Sequence, residues 1–309
     1  MTDLVTGGAG FIGSHLVRGL LEKGRAVRVL DDFSTGRREN LADVDGDLEI
    51  MEGDVRDAAK VREALRSVER VFHEAAFVSV PASMEDPAEC LDVNVRGTGV
   101  LLSAARQAGV RRVVLASSAA VYGDSTFIPN RESAIPAPRS AYAVSKRVNE
   151  MYAGLFAREH GLEVVALRYF NVYGPGQRPG SIYAAAIPIF IQRLLDGKPI
   201  VIHGDGGQSR DLIHVKDVVR ANLIACEHPG VSGQVFNVCT GTETQIIEVV
   251  RILLSLFPTH REPEHTAPRG GDVYRSFGDA SRAAAELGFR SEVPLPAGLT
   301  ETVGWMRAA

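Results

Sequence analysis

Short apolar runs and longer stretches with helical spacing alternate over residues 1–170 of the chain. The apolar runs predict strands at residues 4–5, 26–30, 48–51, 71–76, 112–116 and 164–167. Apolar residues three and four positions apart predict helices at 11–21, 58–65, 87–109 and 141–160. The run at 112–116 is apolar almost throughout, which is typical of a parallel strand buried on both faces. The alternation therefore predicts an α/β fold, with helices on both faces of a doubly wound parallel sheet.

A glycine-rich turn joins the first predicted strand to the first predicted helix. Gly7, Gly10 and Gly13 have the spacing that allows a sharp turn, a close approach of phosphate and tight packing of the helix. The helix, which begins near Phe11 and Ile12, would direct its free N–H groups at the pyrophosphate of a dinucleotide. Because a strand and a helix flank the turn, a Rossmann-type domain is a better interpretation than a turn without a ligand.

Acidic residues follow the second predicted strand. Asp31 lies at the distance expected for the acid that binds the adenosine ribose, and Asp32 follows it. An acid there favours NAD over NADP, because it would repel a 2′-phosphate. Arg37 and Arg38 are nearby cations that weaken this preference.

The next two predicted strands also end in residues suited to a dinucleotide. Asp54, followed by Val55, can contact the adenine amino group, although it could equally be the N-cap of helix 58–65. Ala75 and Ala76 are small enough to let the cofactor pass.

The alternation changes after residue 171. Loops rich in glycine and proline separate shorter apolar segments, among them a strand at 200–202 and helices at 215–227, 246–256 and 280–287. We interpret residues 1–171 as an NAD-binding Rossmann domain to which later segments return. Residues 172–309 are interpreted mainly as a smaller C-terminal substrate-binding lobe.

Composition excludes several classes of function. The chain has 309 residues and a net charge of −4, so no basic field is expected to attract nucleic acid or an anionic membrane. Neither the 3 cysteines nor the 8 histidines have metal-ligand spacing. The longest apolar stretch, 183–191, is interrupted by Pro188 and is too short to span a bilayer. We expect no signal peptide and a cytoplasmic protein, since the first strand begins almost at Met1.

Two pairs of polar residues predict redox chemistry at an alcohol. Tyr142 and Lys146 lie four positions apart, on one face of the predicted helix 141–160. Ser117 and Ser118 end the buried run at 112–116. A nearby ammonium favours the phenolate of a tyrosine, which can then act as a general base or acid. The Tyr–Lys spacing alone would also fit an amphipathic helix, but its combination with the glycine turn and Asp31 favours hydride transfer to nicotinamide.

These motifs resemble the extended short-chain dehydrogenase/reductase family, and within it the nucleotide-sugar 4-epimerases. Besides the glycine turn and the two polar pairs, the resemblance rests on segments 29–32, 94–98, 168–175, 209–211 and 269–273. Segments 73–76, 79–81 and 183–188 resemble the branch that acts on UDP-N-acetylglucosamine and UDP-glucose.

The resemblance implies roles for the matching residues. Tyr142 would take the proton of the sugar 4-hydroxyl, and Lys146 would bind the nicotinamide ribose and lower the pKa of the tyrosine. Ser118 would bridge Tyr142 and the substrate, with Ser117 beside it. The predicted cofactor-binding set is Gly7, Gly10, Phe11, Ile12, Gly13, Asp31, Asp32, Asp54, Val55, Ala75, Ala76, Asn94, Tyr142 and Lys146.

The resemblance also implies a site for a UDP-sugar. Arg210 and Arg269 would clamp the diphosphate, Asn171 would hold the sugar or a phosphate, and strand 200–202 would face uracil. Ser276 lies where a large aromatic restricts related enzymes to unacetylated sugars, so a serine should admit N-acetyl sugars. The predicted substrate-binding set is Ser79, Ser118, Asn171, Gln177, Ala185, Val201, His203, Arg210, Arg269, Asp272 and Ser276.

Related families carry out other reactions. Sugar-nucleotide 4,6-dehydratases have an acid pair after the serine, where this chain has Ala119 and Ala120, so dehydration would lack a proton donor. We therefore predict NAD-dependent 4-epimerisation of a UDP-hexose, without a metal. The alternatives are a dehydratase, a 4-ketoreductase, a 4-epimerase of UDP-glucuronate or a UDP-pentose, and a redox-sensing binding protein.

A homodimer is expected, because the helices at 87–109 and 141–160 form a dimer interface in many relatives. Leu101, Leu102, Met151 and Leu155 are the apolar residues predicted on the outer faces of these helices.

Overall fold

The computed structural model describes residues 2–125, 127–179, 186–268 and 273–308. The strands are β1 Thr2–Thr6, β2 Ala26–Asp31, β3 Leu48–Glu52, β4 Val68–His73, β5 Arg112–Ser118, β6 Glu163–Tyr169, β7 Asn171–Tyr173, β8 Val201–His203, β9 Ser209–Arg210, β10 Leu212–His214, β11 Val235–Val238, β12 Thr244–Gln245, β13 Glu264–Thr266 and β14 Arg275–Ser276. The helices are α1 Phe11–Glu22, α2 Ala58–Ala64, α3 Val80–Glu85, α4 Pro87–Leu91, α5 Gly97–Gln107, α6 Ala141–Glu159, α7 Ala186–Leu195, α8 Val215–Glu227, α9 Ile246–Ser255 and α10 Leu295–Ala308.

Seven parallel strands form the central sheet, in the order β11-β6-β5-β4-β1-β2-β3. One core cluster packs α1 and α8 against this sheet, and a second packs α2, α5 and α6. Val113 and Val114 of β5 are fully buried, as the continuous apolar run predicts. The predicted Rossmann-type, doubly wound α/β fold is confirmed.

The elements after β6 build a third, smaller core. It contains Ile191 of α7, Val250 of α9 and Leu299 of α10, and β8 pairs with β13 beside it. Between α7 and α9 the chain returns to the large sheet, where β11 pairs with β6 at the edge. The later part of the chain thus contributes both to a separate core and to the central sheet.

The structure differs from the predicted helices in several places, and α10 was not predicted. The helical region predicted at 87–109 begins earlier and is divided into α3, α4, a π-helical turn at Asp92–Arg96, and α5. Asp86 causes one of these breaks, because its carboxylate accepts a hydrogen bond from the Glu89 N–H and starts a new helix. In the same way Asp57, and not Asp54, caps α2 by accepting from two backbone N–H groups.

Neither a membrane-spanning helix nor a metal-binding cluster is present in the described ranges. Within these ranges, none of the helices has the length and apolar character that crossing a bilayer requires. The same ranges contain no group of three or more His, Cys, Asp or Glu side chains placed to hold a metal ion.

Candidate active site

A cavity of about 1660 Å³ extends from the carboxyl ends of the central strands to β7, β8 and β9. On the cofactor side the predicted residues that line it are Gly7, Gly10, Phe11, Ile12, Gly13, Asp31, Asp32, Asp54, Val55, Ala75, Ala76 and Tyr142. The other predicted residues along it are Ser79, Ser117, Ser118, Asn171, Gln177, Val201, His203 and Arg210. The structure therefore brings most of the predicted set into one continuous space.

The glycine turn has the backbone that its sequence predicts. Gly7 has a φ of +68°, and a Cβ at this position would lie 2.6 Å from the Ala75 nitrogen. A Cβ on Gly13 would collide with the Gly7 carbonyl oxygen. The turn leaves the start of α1 open to the cavity, where the free N–H groups of a helix can bind phosphate.

Gly13→Ala is expected to abolish retention of the cofactor, because the added methyl would push the turn out of the position that a pyrophosphate needs. The measurement is the amount of NAD released by denaturing the purified protein. Gly304→Ala is the matched control, since a Cβ on Gly304 meets nothing within 4 Å and should leave the cofactor content unchanged. Full retention by the Gly13 variant would contradict this account of the turn.

Asp31 holds the glycine turn in place. Its Oδ2 accepts a hydrogen bond of 2.9 Å from the Ala9 N–H, and its Oδ1 accepts one of 2.9 Å from the Phe33 N–H. Burial raises the pKa of this carboxyl, while the two N–H groups oppose that effect. A carboxylate oxygen has a second lone pair, so these bonds leave acceptor capacity for a ribose hydroxyl.

Asp54 is held by an arginine at the edge of the cavity. Both of its carboxylate oxygens accept hydrogen bonds from Arg56, with Nη2 at 2.6 Å from Oδ2. These bonds lower the pKa of Asp54, so the acid remains ionised. The contact of Asp54 with adenine remains a prediction.

Tyr142 and Lys146 occupy successive turns at the start of α6. The Lys146 ammonium lies 5.7 Å from the centroid of the Tyr142 ring and donates a hydrogen bond of 2.9 Å to the Ala116 carbonyl. Lys146 is buried behind the cavity wall and is not among its lining residues. Burial lowers the pKa of Lys146 to about 8.

The pKa of Tyr142 differs from the expectation. Burial raises it to about 12, and the hydrogen bond with Ser118 opposes the shift. In the protein alone the desolvation of the phenolate outweighs the effects that lower this pKa, and the role of Lys146 in lowering it stays a prediction. Further positive charge is needed in the pocket before Tyr142 can act as a base near neutral pH.

The two serines at the end of β5 have different partners. Ser118 contacts Tyr142, and its Oγ also accepts from the Ala120 N–H at 3.1 Å. Ser117 instead donates a hydrogen bond of 2.7 Å to Glu150, which forms a buried ion pair with Arg168. The Ser117 hydroxyl is thus engaged by the interior ion pair, and its catalytic role stays a prediction.

Asn94 also lies behind the cavity wall. Its side chain accepts from the Phe77 N–H at 2.7 Å and donates to the Phe77 carbonyl and the Ser145 hydroxyl. Asn94 is buried and is not among the lining residues of the cavity, so its contact with the cofactor stays a prediction. It fixes the loop after β4 against α6.

The substrate side of the cavity is built from short strands. Ser276 on β14 pairs in register with Arg210 on β9, although Ser276 does not line the cavity. Gln177 donates a hydrogen bond of 3.1 Å to the Val172 carbonyl. Three further predictions, Ala185, Arg269 and Asp272, lie outside the described residues.

Glu74 is one of several cavity-lining residues that have no role in the sequence prediction. Glu74 follows β4 directly, lines the cavity and accepts a hydrogen bond of 2.7 Å from the Tyr169 hydroxyl. A charged residue between an apolar strand and two alanines was the available signal.

Comparisons with known proteins agree with this geometry. The NAD dependent epimerase/dehydratase family matches residues 4–239. The chain is 38% identical to the UDP-glucose 4-epimerase of Thermus thermophilus, and its structure matches the crystal structure with NAD over 100% of both chains with a TM-score of 0.90. It is 36% identical to a UDP-N-acetylglucosamine 4-epimerase of Methanobrevibacter ruminantium, solved with UDP-N-acetylmuramic acid, with a TM-score of 0.95 and coverage of 99% of this chain and 98% of that one.

A relative with another reaction is almost as similar. The dTDP-glucose 4,6-dehydratase of an Actinoplanes species is 36% identical over 320 residues, which cover 100% of this chain and 98% of that enzyme. Similarity over the whole length, together with a glycine turn whose geometry admits a pyrophosphate, shows both the family and the cofactor. The chain belongs to the NAD-dependent epimerase/dehydratase family of extended short-chain dehydrogenases/reductases, and it is an enzyme that uses NAD.

Proposed function

We propose that the enzyme interconverts the 4-epimers of UDP-hexoses, namely UDP-glucose with UDP-galactose and UDP-N-acetylglucosamine with its galacto epimer. The observation that carries this proposal is the Tyr142–Ser118 contact, with Ala119 and Ala120 following the serine. A tyrosine and a serine can move the proton of an alcohol. Neither alanine can donate the proton that the loss of water requires.

The proposed reaction passes through a transient 4-keto sugar. Bound NAD⁺ supplies a hydride acceptor that later returns the hydride, and it brings a positive charge that favours the phenolate of Tyr142. Tyr142 Oη takes the proton of the 4-hydroxyl and gives it back after the sugar has turned in the pocket. Ser118 holds the hydroxyl in line with Tyr142, and Lys146 contributes a second positive charge behind the ring.

The proposed substrate class rests on residues of β9 and β14, on the substrate side of the cavity. Arg210 lines the cavity, and a guanidinium is suited to a diphosphate. The small Ser276 is its neighbour in the strand ladder, which supports the proposal that N-acetyl sugars are admitted. The relatives named for UDP-glucose and UDP-N-acetylglucosamine support the same class.

The test is incubation of the purified enzyme with each UDP-hexose, without added NAD⁺. The expected product is the 4-epimer, with no net formation of NADH, as measured by anion-exchange chromatography and absorbance. A product lighter by one water would identify a dehydratase, and stoichiometric consumption of cofactor would identify a ketoreductase. If the enzyme turned over only UDP-glucuronate or a UDP-pentose, that sugar nucleotide would replace UDP-hexoses as the proposed substrate. No turnover of any of these sugars would contradict the proposal.

We also propose that the enzyme is a homodimer through α6, as predicted, and through α3, which packs against α6 and lies before the helix predicted at 87–109. Met84 is 61% exposed and Met151 is 59% exposed, and Leu155 is also exposed. Leu101 and Leu102 are fully buried, so their predicted place on the outer face is corrected.

Met151→Glu is expected to produce monomers, because a charge would be buried in the contact between protomers. The measurement is sedimentation equilibrium at several protein concentrations. Ile135→Glu, at an exposed position outside both helices, is the control and should leave the mass unchanged. A monomeric wild-type enzyme would contradict the dimer.

A further inference from the structure

Glu74 is a cavity-lining acid that the proposed reaction does not use. Its Oε1 accepts a hydrogen bond of 2.7 Å from the Tyr169 hydroxyl, and Asn222 Nδ2 donates to that same hydroxyl at 2.7 Å. The Asn222 amide also donates to the Val218 carbonyl, within α8. The carboxyl is thus held in one orientation by a chain of two hydrogen bonds that begins on a helix.

Glu74 lies between the glycine turn and the pair formed by Tyr142 and Lys146. A Cβ on Gly7 would lie 2.9 Å from the Glu74 carbonyl carbon, so the residue is directly across from the glycine turn. The charge of Glu74 acts on both Tyr142 and Lys146. Hydride and proton leave neighbouring atoms of one alcohol, so the nicotinamide and Tyr142 have to lie at the same end of the cavity. Glu74 is at that end.

The charged groups around Glu74 are few. Burial raises the pKa of Glu74 to about 7, while Tyr169 on β6 and Lys146 on α6 oppose the shift. Tyr142 and Tyr169 are neutral near pH 7, because burial raises the pKa of both. His73 is neutral as well, since burial lowers its pKa to about 3. Among the described residues that act on Glu74, Lys146 therefore carries the opposing charge at this end of the cavity.

We propose that Glu74 sets the redox preference of the bound cofactor, because its carboxylate stabilises the cationic ring of NAD⁺ relative to the neutral ring of NADH. A charge beside the reactive ring is one of the means by which a protein tunes a cofactor. An enzyme that must begin each turnover with an oxidised cofactor gains from such a preference. The inference rests on the proposed function only in placing the nicotinamide beside Tyr142.

The test is a redox titration of the full-length holoenzyme without sugar, with NADH absorbance as the readout. At pH 8.5, Glu74→Gln is expected to raise the ratio of bound NADH to bound NAD⁺ at a fixed potential about tenfold, a shift of ~30 mV for a two-electron couple. At pH 5.5 the variant and the wild type should agree, because Glu74 is then protonated. Equal potentials at pH 8.5 would overturn the proposal.

Two further variants separate charge from structure. Glu89→Gln removes a carboxylate that lines the same cavity but pairs with Arg56, near Asp54, so it should leave the potential unchanged. The hydrogen bond from Tyr169 lowers the pKa of Glu74. Tyr169→Phe keeps the Glu74 charge but removes this bond, so the pKa of Glu74 should rise and the pH dependence should move to higher pH. An unmoved pH dependence in the Tyr169 variant, or an equal shift in the Glu89 variant, would contradict the proposal. Absence of epimerase activity would not affect either result.

Discussion

Tyr142→Phe is expected to lower the kcat for UDP-hexose epimerisation by about 10²–10⁴-fold, the range typical of general acid–base catalysis. The variant loses the one hydroxyl that contacts Ser118 from α6, and phenylalanine cannot exchange a proton with the substrate. The NAD content of the purified protein should stay unchanged, because the glycine turn and Asp31 are untouched. The measurement is the initial rate of epimer formation together with the amount of cofactor released on denaturation.

Tyr152→Phe is the matched control for this substitution. Tyr152 lies on the same helix but does not line the cavity, so its loss should leave the rate near that of the wild type. A Tyr142 variant that retains the wild-type rate would exclude the proposed chemistry. If the Tyr142 variant also left function in the cell unchanged, a redox-sensing binding protein would become the better interpretation.

Arg168→Met is expected to lower the free energy of unfolding by about 3–5 kcal/mol, the range measured when one partner of a buried ion pair is removed. Arg168 Nε and Nη2 donate hydrogen bonds to Glu150 at 2.7 and 2.8 Å, and both side chains are almost completely buried. Methionine would fill the space but leave the Glu150 charge without this partner. Chemical denaturation of the holoenzyme measures the change.

An exposed ion pair supplies the control for the buried one. Lys198 lies 3.0 Å from Asp196, with 60% of its side chain exposed, so Lys198→Met should cost at most about 1 kcal/mol. Adding Glu150→Gln to the Arg168 variant should restore part of the stability, because no buried charge then lacks its partner. Equal losses in the two single variants would show that burial does not determine the contribution of these pairs.

The sequence pattern predicts the large sheet well and the lobe poorly. Strands β1, β2, β4, β5 and β6 each contain consecutive buried apolar residues, so local hydrophobicity sets their pattern. Strand β13 is exposed and polar, and it exists because it pairs with β8 more than 60 positions earlier in the chain, at Thr266 and His203. The apolar spacing does not predict helix α10, Leu295–Ala308. Its buried face includes Gly298 and Thr302, which interrupt the apolar pattern.

The site shows the same division between local and long-range causes. Neighbouring residues of a strand point to opposite faces, so only one of Ser117 and Ser118 could reach Tyr142. The alternation of side chains along β5 therefore distinguishes Ser117 from Ser118 from the sequence alone. The hydrogen bond between Tyr169 and Glu74 could not be predicted from the sequence, because the two residues meet only when β4 and β6 lie in one sheet.

The two hydrogen bonds that Asp31 accepts have a consequence for how cofactor preference can change. A substitution at Asp31 intended to admit NADP would also release the Ala9 and Phe33 N–H groups, and so would loosen the loop that carries the phosphate site. Selection or engineering would therefore have to replace two functions of Asp31 in the same step, the support of the loop and the preference for NAD. Changes at the sugar end of the cavity would leave both hydrogen bonds of Asp31 in place, so the substrate preference can change without loosening this loop.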